Sequence, residues 1–165
     1  NEFSNFARMP RPILKKIDVI KLINKSLDFI KMSSKNSIKL IKKTKNTLIS
    51  GDEDQLNRVF INLIKNSEEA FIEKTAKDPK FKGNIDIEIS GNNDYIIIRL
   101  TDNGTGITDP KKVMTPYFTT KKTGTGLGLP IVTKIINEHS GNLSINNKVI
   151  GTGTIVKISF PKLNV

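Results

Sequence analysis

The spacing of apolar residues predicts two amphipathic helices in the first half of the chain. From Asp52 to about Glu73 the apolar positions recur every three or four residues, which is the repeat of one buried helix face. Asp52 precedes this run and suits an N-cap, because an aspartate side chain accepts hydrogen bonds from first-turn N–H groups. A shorter helix is predicted from a similar cap at Asp18 to near Ser33 and Ser34.

Strand patterns surround these helices. Short apolar runs at 38–40 and 48–49 predict two strands separated by a basic turn. Alternating residues at 85–89 and a run of β-forming residues at 95–100 flank a Gly-Asn-Asn-Asp turn, which predicts a hairpin. Two final strands are predicted near 143–145 and 154–160.

A third helix is predicted to begin near Pro130, because proline suits a first helical turn, and Gly141 is its predicted C-terminal cap. Its buried stripe consists of Ile131, Val132, Ile135 and Ile136. Helices and hairpin-type strand pairs follow one another without a repeated strand–helix unit. This order predicts an α+β fold, a two-layer α/β sandwich with a mixed sheet and the helices on one face.

The N-terminal end has a separate pattern, in which apolar residues at helical spacing precede two prolines: Phe3, Phe6, Met9, Pro10 and Pro12. Residues 1–12 are therefore predicted to be the end of a helix and a linker, and residues 13–165 to form one domain. Within that domain, residues 108–126 are polar, rich in Gly and Thr and poorly periodic apart from one helical turn near 110–114. A segment of this length predicts a mobile lid.

Composition excludes several classes of function. The chain has 165 residues and no cysteine, which excludes disulfides, thiol catalysis and Cys-ligated zinc. It lacks both the roughly 18–20 consecutive apolar residues of a membrane helix and the pattern of a signal peptide, so a soluble intracellular chain is expected. Because it starts at Asn1 rather than at Met, we expect a piece of a longer protein.

The net charge of +11 is concentrated in the first third of the chain. Residues 1–50 hold 12 Lys and Arg against 3 Asp and Glu, whereas residues 51–165 hold 15 against 13. A basic segment of this kind can meet an acidic partner or a membrane surface. Lysine is also frequent along the whole chain, so these side chains can equally be a solvated face. No nucleic-acid partner is predicted.

Three groups of polar residues are candidates for chemistry. Asn62 and Asn66 lie four positions apart and so share one side of the long helix, where an amide oxygen can be a plain surface group or a Mg²⁺ ligand. Asp102 ends a strand before Asn-Gly-Thr-Gly, which is typical of a turn. A buried carboxylate there could also accept a hydrogen bond from an exocyclic amine, with Gly104 and Gly106 letting the backbone approach a flat ring.

The third group is the glycine-rich run that leads into the Pro130 helix, with Lys121 and Lys122 before it. Backbone N–H groups of such a loop and a helix N-terminus can bind phosphate. The run matches neither the P-loop pattern nor the dinucleotide fingerprint. If it binds phosphate, a different nucleotide fold is required.

In this order the groups resemble the GHKL ATP-binding domains of sensor histidine kinases, relatives of the ATPase domains of gyrase, Hsp90 and MutL. The resemblance covers roughly residues 52–160. Four segments of this chain resemble the sequence motifs, called boxes, of that family. They are NLIKNSEEA at 62–70 (N box), DNGTG at 102–106 (G1 box), PYFTTK at 116–121 (F box) and GTGLGL at 124–129 (G2 box). Upstream, EFSNFARMP at 2–10 resembles the end of the dimerisation helix in NtrY-type nitrogen-regulation kinases.

The resemblance implies a site for ATP and Mg²⁺. Asn66 would bind the metal, Asp102 the adenine amine, and Lys65 and Lys121 the phosphates. Thr154 would lie beside the adenine. The implied ATP-binding set is Asn62, Lys65, Asn66, Asp102, Gly104, Gly106, Phe118, Lys121, Gly124, Thr125, Gly126, Leu127, Gly128 and Thr154, of which Asn62 and Lys121 are the implied catalytic members.

The implied reaction is phosphoryl transfer to a histidine. ATPases of this superfamily have a glutamate where this chain has Asn62, and an amide is not a practical general base, so hydrolysis should be slow. His139 is expected to be structural, a cation that complements a helix dipole, and the acceptor to lie upstream of Asn1. A serine kinase of the anti-sigma type, a GHKL ATPase and a basic interaction module remain alternatives.

The resemblance also implies the partners. They are the dimerisation and phosphoacceptor domain of the same protein and a response regulator. The parent protein would be a homodimer attached to the inner membrane, with this domain in the cytoplasm.

Overall fold

The computed structural model describes residues 8–32, 34–109 and 128–164, and these form three helices and seven strands. Residues 1–7 of the predicted helix end and linker (1–12), and most of the predicted lid, lie outside the described residues. In chain order the elements are β1 (Lys15–Asp18), α1 (Val19–Lys31), β2 (Ser37–Lys42), β3 (Leu48–Gly51), α2 (Glu53–Lys77), β4 (Asn84–Gly91), β5 (Tyr95–Asp102), α3 (Gly128–Glu138), β6 (Asn142–Asn147) and β7 (Thr154–Pro161).

Five of the described strands form one mixed sheet in the order β2-β4-β5-β7-β6. The β2–β4 pair is parallel, and the other neighbours are antiparallel. Strands β1 and β3 pair with each other in a small separate sheet. The predicted strand pair at 38–40 and 48–49 is therefore confirmed as two strands, but they belong to different sheets.

The core lies between the large sheet and the helices. Alternate residues of the central strands are buried, among them Ile85, Ile87 and Ile89 of β4 and Ile96 and Ile98 of β5. Burial of each such side chain stabilises the fold by about 1.5–3 kcal/mol. The opposite face of the same strands is partly exposed, so the predicted sandwich with helices on one face of a mixed sheet is confirmed.

Helix α2 is the longest described element, and the predicted site residues Asn62, Lys65 and Asn66 lie on it. Asp52 caps it as predicted, because its Oδ1 accepts from Gln55 N–H at 3.2 Å. Acidic residues in the first turn and basic residues in the last complement the helix dipole. The helix runs to Lys77, one turn beyond the predicted end near Glu73. The last turn was not predicted because it lacks the apolar repeat.

The end of α3 differs from the prediction in one residue. Gly141 is not the residue in the left-handed conformation; Ser140 is, with φ of 57°. Gly141 donates its N–H to the Ile136 carbonyl at 2.9 Å, and Ser140 donates to that of Asn137 at 3.0 Å. This is the Schellman arrangement, with Gly141 one position beyond the left-handed residue. Glycine is needed there for space, because a Cβ would lie 2.7 Å from the Ser159 carbonyl oxygen.

Candidate nucleotide site

The centre of the candidate site is the carboxylate of Asp102, the last residue of β5. Its side chain is only 4% exposed. Oδ2 accepts from the hydroxyls of Ser67 at 2.7 Å and Thr154 at 2.6 Å. Oδ1 accepts from the backbone N–H of Gly104 at 2.9 Å and of Thr154 at 3.2 Å. An ionised carboxylate has about four acceptor positions, so this group is fully supplied with donors in the described structure.

Three elements bring these donors together. Ser67 lies on the buried face of α2, Asp102 ends a central strand, and Thr154 begins the neighbouring strand β7. Strand pairing aligns β5 with β7 from Tyr95 to Thr101, which leaves Asp102 beside the start of β7. The site therefore lies at one end of the sheet, against the helix.

The turn that follows Asp102 lies close to α2 and to the β6–β7 loop. A Cβ added to Gly104 would lie 2.8 Å from the Cβ of Ala70, so a larger residue would push the turn away from the helix. Gly106 has φ of 83°, a conformation that favours glycine. The approach is closest at Gly153, where an added Cβ would lie 1.9 Å from the Asp102 carbonyl oxygen.

The residues predicted on the long helix lie beside this turn. Asn66, Ala70 and Lys74 are spaced four apart and so share one side of α2. Ala70 faces Gly104, and this places Asn66 on the same side, one turn earlier. Asn62 and Asn66 are partly buried, whereas Lys65 is exposed. The structure therefore brings the predicted N-box and G1-box residues to one edge of the fold.

The remaining predicted residues fall in the segment that the structure does not describe. Phe118 and Lys121 lie outside the described residues, as do Gly124, Thr125, Gly126 and Leu127. Gly128 is the first residue of α3. The predicted phosphate-binding roles in this segment stay predictions.

His139 is structural, as predicted, but it does not act as a cation. Its ring is 4% exposed, and its Nε2 accepts from the backbone N–H of Asp52 at 2.9 Å. Because an N–H group can only donate, Nε2 carries no proton. Nδ1 lies 2.7 Å from the Ile135 carbonyl and therefore donates to it. The neutral ring joins the end of α3 to the start of α2, and the predicted interaction of a cation with the helix dipole is wrong.

Asp52 gathers several backbone donors at the same junction. Its Oδ2 accepts from Ile13 N–H at 2.9 Å, which fastens the incoming segment to the start of α2. Burial raises the pKa of this carboxyl, but the backbone N–H groups of Ile13, Gln55 and Asp54 favour its charged form and hold the pKa below its ordinary value. Gln55 adds a hydrogen bond from Nε2 to the Pro10 carbonyl at 2.9 Å.

Sequence reasoning missed three residues that contact the site. Ser67 lies within the 62–70 box and has no predicted role of its own, although a serine among buried apolar positions signals a hydrogen bond. Lys74 Nζ donates to the Asn103 carbonyl at 2.8 Å, and Asn147 bonds to the backbone of Ile107. Neither of the latter two contacts has a local sequence signal.

The described residues contain no group of three or more His, Cys, Asp or Glu side chains that could hold a metal ion. None of the described helices is long and apolar enough to cross a membrane.

Comparisons with known proteins agree with this geometry. A family model described as histidine kinase-, DNA gyrase B- and HSP90-like ATPase matches residues 51–164. The chain is 30% identical to nitrogen regulation protein NtrY of Azorhizobium caulinodans over 161 residues, covering 96% of this chain and 21% of that protein. It is 42% identical to sporulation kinase B of Bacillus subtilis over 116 residues, covering 69% of this chain and 25% of that protein.

Among solved structures, the fold is similar to the catalytic domain of histidine kinase ThkA. The TM-score is 0.77 at 24% identity, covering 91% of this chain and 96% of that one. It is also similar to full-length ShkA in complex with AMPPNP, with a TM-score of 0.77 at 19% identity, covering all of this chain and 36% of that one. At these identities the likeness to solved structures shows the fold alone.

Proposed function

Since this chain belongs to the histidine kinase-, DNA gyrase B- and HSP90-like ATPase family, as an ATP-binding catalytic domain of the sensor histidine kinase type, we propose that it donates the γ-phosphoryl group of ATP to a histidine outside its own sequence. The observation that carries the proposal is the buried, fully hydrogen-bonded carboxylate of Asp102 beside the Gly104 turn. The chain spans about a fifth to a quarter of the curated relatives named above, so the reaction of the whole protein is part of the proposal.

Asp102 would select adenine. An adenine amine can donate to the carboxylate in place of one of the two hydroxyl donors, Ser67 or Thr154, because a hydroxyl can rotate away and bond elsewhere. The backbone donors on Oδ1 would remain and keep the carboxylate oriented. A guanine ring has a carbonyl oxygen in the corresponding place, which the carboxylate would repel. The site therefore favours ATP over GTP.

The donor chemistry also fits a Mg²⁺ ion that arrives with the nucleotide. Mg²⁺ keeps several waters and takes few protein ligands when phosphates supply the rest, so one amide oxygen from Asn66 is sufficient. Bound there, the ion would neutralise phosphate charge. Lys65 and Lys121 would contact the phosphates, and Phe118 and the glycine-rich run from 124 to 128 would complete the pocket.

The residue at position 62 favours transfer of the phosphoryl group over hydrolysis of ATP, because it cannot act as the general base that activates water. Asn62 occupies the place of the ATPase glutamate, and an amide does not take up a proton at neutral pH. The catalytic work of Asn62 and Lys121 would be to position and to neutralise charge. His139 is a poor acceptor, because the ring is buried and both of its nitrogens are hydrogen-bonded.

The partners follow from the same proposal. The acceptor histidine would lie in a dimerisation domain that precedes residue 1 of this sequence, and residues 1–12 would be the end of that domain's helix and the linker to residues 13–165. The phosphoryl group would pass to a response regulator. By likeness to NtrY the parent would be a homodimeric nitrogen-regulation kinase attached to the inner membrane, with this domain in the cytoplasm, where ATP is available.

Calorimetric titration with the ATP analogue AMPPNP tests nucleotide binding. We expect wild-type binding to strengthen when Mg²⁺ is added and the Asn66→Ala variant to lose most of that increase. Asn137→Ala, an exposed residue of α3, is the matched control and should behave like the wild type. Absence of binding by the wild type in Mg²⁺ would overturn the proposal.

Incubation with γ-labelled ATP tests the reaction. We expect no stable label on this chain alone, and acid-labile label on a dimerisation domain added to it. Acid-stable label would favour a serine kinase, and rapid release of inorganic phosphate would favour an ATPase. Label on His139 would contradict the structural role of that ring.

A further inference from the structure

The turn after Asp102, which we call the G1 turn (residues 102–106), is held from outside by two side chains that belong to none of the four boxes. Lys74 reaches it from the last turns of α2, and Asn147 from the end of β6. Both side chains bond to backbone atoms of the turn or of Ile107, the residue directly after it. They act on a segment whose own sequence is rich in glycine and therefore costly to order.

The Lys74 ammonium group joins three parts of the fold. Nζ donates to the Asn103 carbonyl at 2.8 Å and lies 3.5 Å from that of Gly104. It also donates to the hydroxyl of Thr152 in the β6–β7 loop. Its position is fixed further by the ring of Phe81, whose centroid lies 4.7 Å from Nζ. An ammonium has three donors, and these contacts direct them at the turn and at the loop opposite it.

The Asn147 amide forms a pair of bonds with a single residue. Its Oδ1 accepts from Ile107 N–H at 2.7 Å, and its Nδ2 donates to the Ile107 carbonyl at 2.8 Å. Asn147 lies opposite Thr154 in the β6–β7 pairing, and Thr154 bonds to Asp102. One rung of the hairpin therefore holds both the start and the exit of the G1 turn.

A shallow groove of about 220 Å³ separates the turn from the β6–β7 loop and is lined in part by Gly106, Thr152 and Gly153. Asn147 lines this groove, and Lys74 bonds to Thr152, another of its lining residues, so both side chains bridge the turn to neighbouring elements. The turn thus has defined anchors at both ends. The Asn103 side chain also ties the turn to Asn84 N–H and to the Lys82 carbonyl, so loss of Lys74 or Asn147 loosens the turn without freeing it completely.

We infer that Lys74 and Asn147 are positioning residues that set the adenine selectivity of the site by fixing the backbone of residues 103–107 relative to the Asp102 carboxylate. Their hydrogen bonds go to the turn, to Thr152 and to Ile107, so they would act on the nucleotide through the backbone. A rigid turn makes the base meet the carboxylate in one pose, in which the adenine amine donates and a guanine carbonyl is repelled. A loosened turn lets guanine shift and escape that repulsion, and it adds an ordering cost to the binding of either base. The inference rests on the proposed nucleotide site.

Titration of the whole 165-residue chain with AMPPNP and with GMPPNP, both in Mg²⁺, tests it. The variants are Lys74→Met and Asn147→Ala. The matched controls are Lys77→Met, from the same last turn of α2, and Asn146→Ala, the exposed neighbour in β6. We expect each variant to bind AMPPNP about 5- to 20-fold more weakly, as expected for one or two lost hydrogen bonds, and each control to stay within about twofold of the wild type.

The decisive quantity is the ratio of the GMPPNP to the AMPPNP dissociation constant, because partial unfolding lowers both affinities equally and leaves the ratio unchanged. We expect the ratio to fall at least about threefold in both variants and to return towards the wild-type value in Lys74→Arg, which keeps a cation with several donors. An unchanged ratio in folded variants would overturn the inference, whatever the loss of affinity. A wild type that binds neither analogue would overturn the proposed function itself, and the two failures are therefore distinguishable.

Discussion

Helix α2 has a buried polar group beside each of its halves, and the two groups differ in what their partners can do. Near its start, His139 is bonded to the backbone of Asp52 and Ile135. Further along, Asp102 is equally buried, but two of its donors are the hydroxyls of Ser67 and Thr154. Backbone partners are fixed by packed elements, whereas a hydroxyl can rotate and give up its acceptor. Burial alone therefore does not separate a group that fastens the fold from one that can exchange a partner.

The largest effect should come from Asp102→Asn, which keeps the size of the side chain and removes its charge. The amide offers one acceptor oxygen instead of two and places an N–H group among donors, so the adenine amine loses a charged partner. We expect AMPPNP affinity to fall about 10- to 150-fold, since one hydrogen bond to a charged group is worth about 1.5–3 kcal/mol. Calorimetry measures this. A loss below about threefold would show that Asp102 does not hold the base.

The second variant, His139→Ala, removes the buried polar group near the start of α2 and should affect stability rather than nucleotide binding. It leaves a cavity and removes the partners of Asp52 N–H and the Ile135 carbonyl, so we expect the free energy of unfolding to fall by about 2–3 kcal/mol. AMPPNP affinity of the folded protein should stay within about twofold. Urea denaturation and calorimetry give the two values, with Asn137→Ala, an exposed residue in the last turn of α3, as the control. A large loss of affinity in folded His139→Ala would end the contrast between the two groups.

The smallest effect concerns pH and the capping carboxylate at the start of α2. The pKa of Asp52 is lowered from its ordinary 3.8 because backbone N–H groups favour the charged form more strongly than burial disfavours it. A lowered pKa means that the stabilising contribution is complete above the ordinary value and is lost as pH falls through the folded one. Asp52 is only partly buried, so solvent screens its contacts and the contribution should stay below about 1 kcal/mol.

Asp52→Asn keeps the capping oxygen and removes the titration, which makes it the matched variant. We expect the wild type to lose more stability than this variant between pH 5 and pH 3, in urea denaturation at each pH. Equal losses would show that the N–H groups around Asp52 do not distinguish its charged form from its neutral form.

Periodicity predicted most of the fold because the elements that bury a regular apolar face carry that pattern in their own sequence. Helix α2 and the β4–β5 hairpin are examples. Strand β1 was missed because its sequence, Lys-Lys-Ile-Asp, has no apolar alternation and becomes a strand only by pairing with β3. The left-handed conformation of Ser140 was also missed. It depends on the backbone hydrogen bonds that close α3 and has no signal in the residue type itself.

The candidate site was predictable to the extent that its residues lie in contiguous boxes. Asp102 and Asn66 could be named because short motifs surround them. Lys74 and Asn147 could not, since each bonds to backbone atoms at least 29 residues away and any residue type offers those atoms. The neutral state of His139 was also invisible, because the donor to its Nε2 comes from a turn 87 residues earlier.

The contact between Gly153 and the Asp102 carbonyl limits how this chain can evolve. Every other amino acid carries a Cβ, and at this position that atom would fall 1.9 Å from the carbonyl oxygen. Any substitution of Gly153 would therefore force the end of β5 to move. Gly151, two residues earlier, has φ of 77° but open space around it, so asparagine is an accessible replacement there. Selection should therefore leave one glycine of this loop invariant and let its neighbour drift.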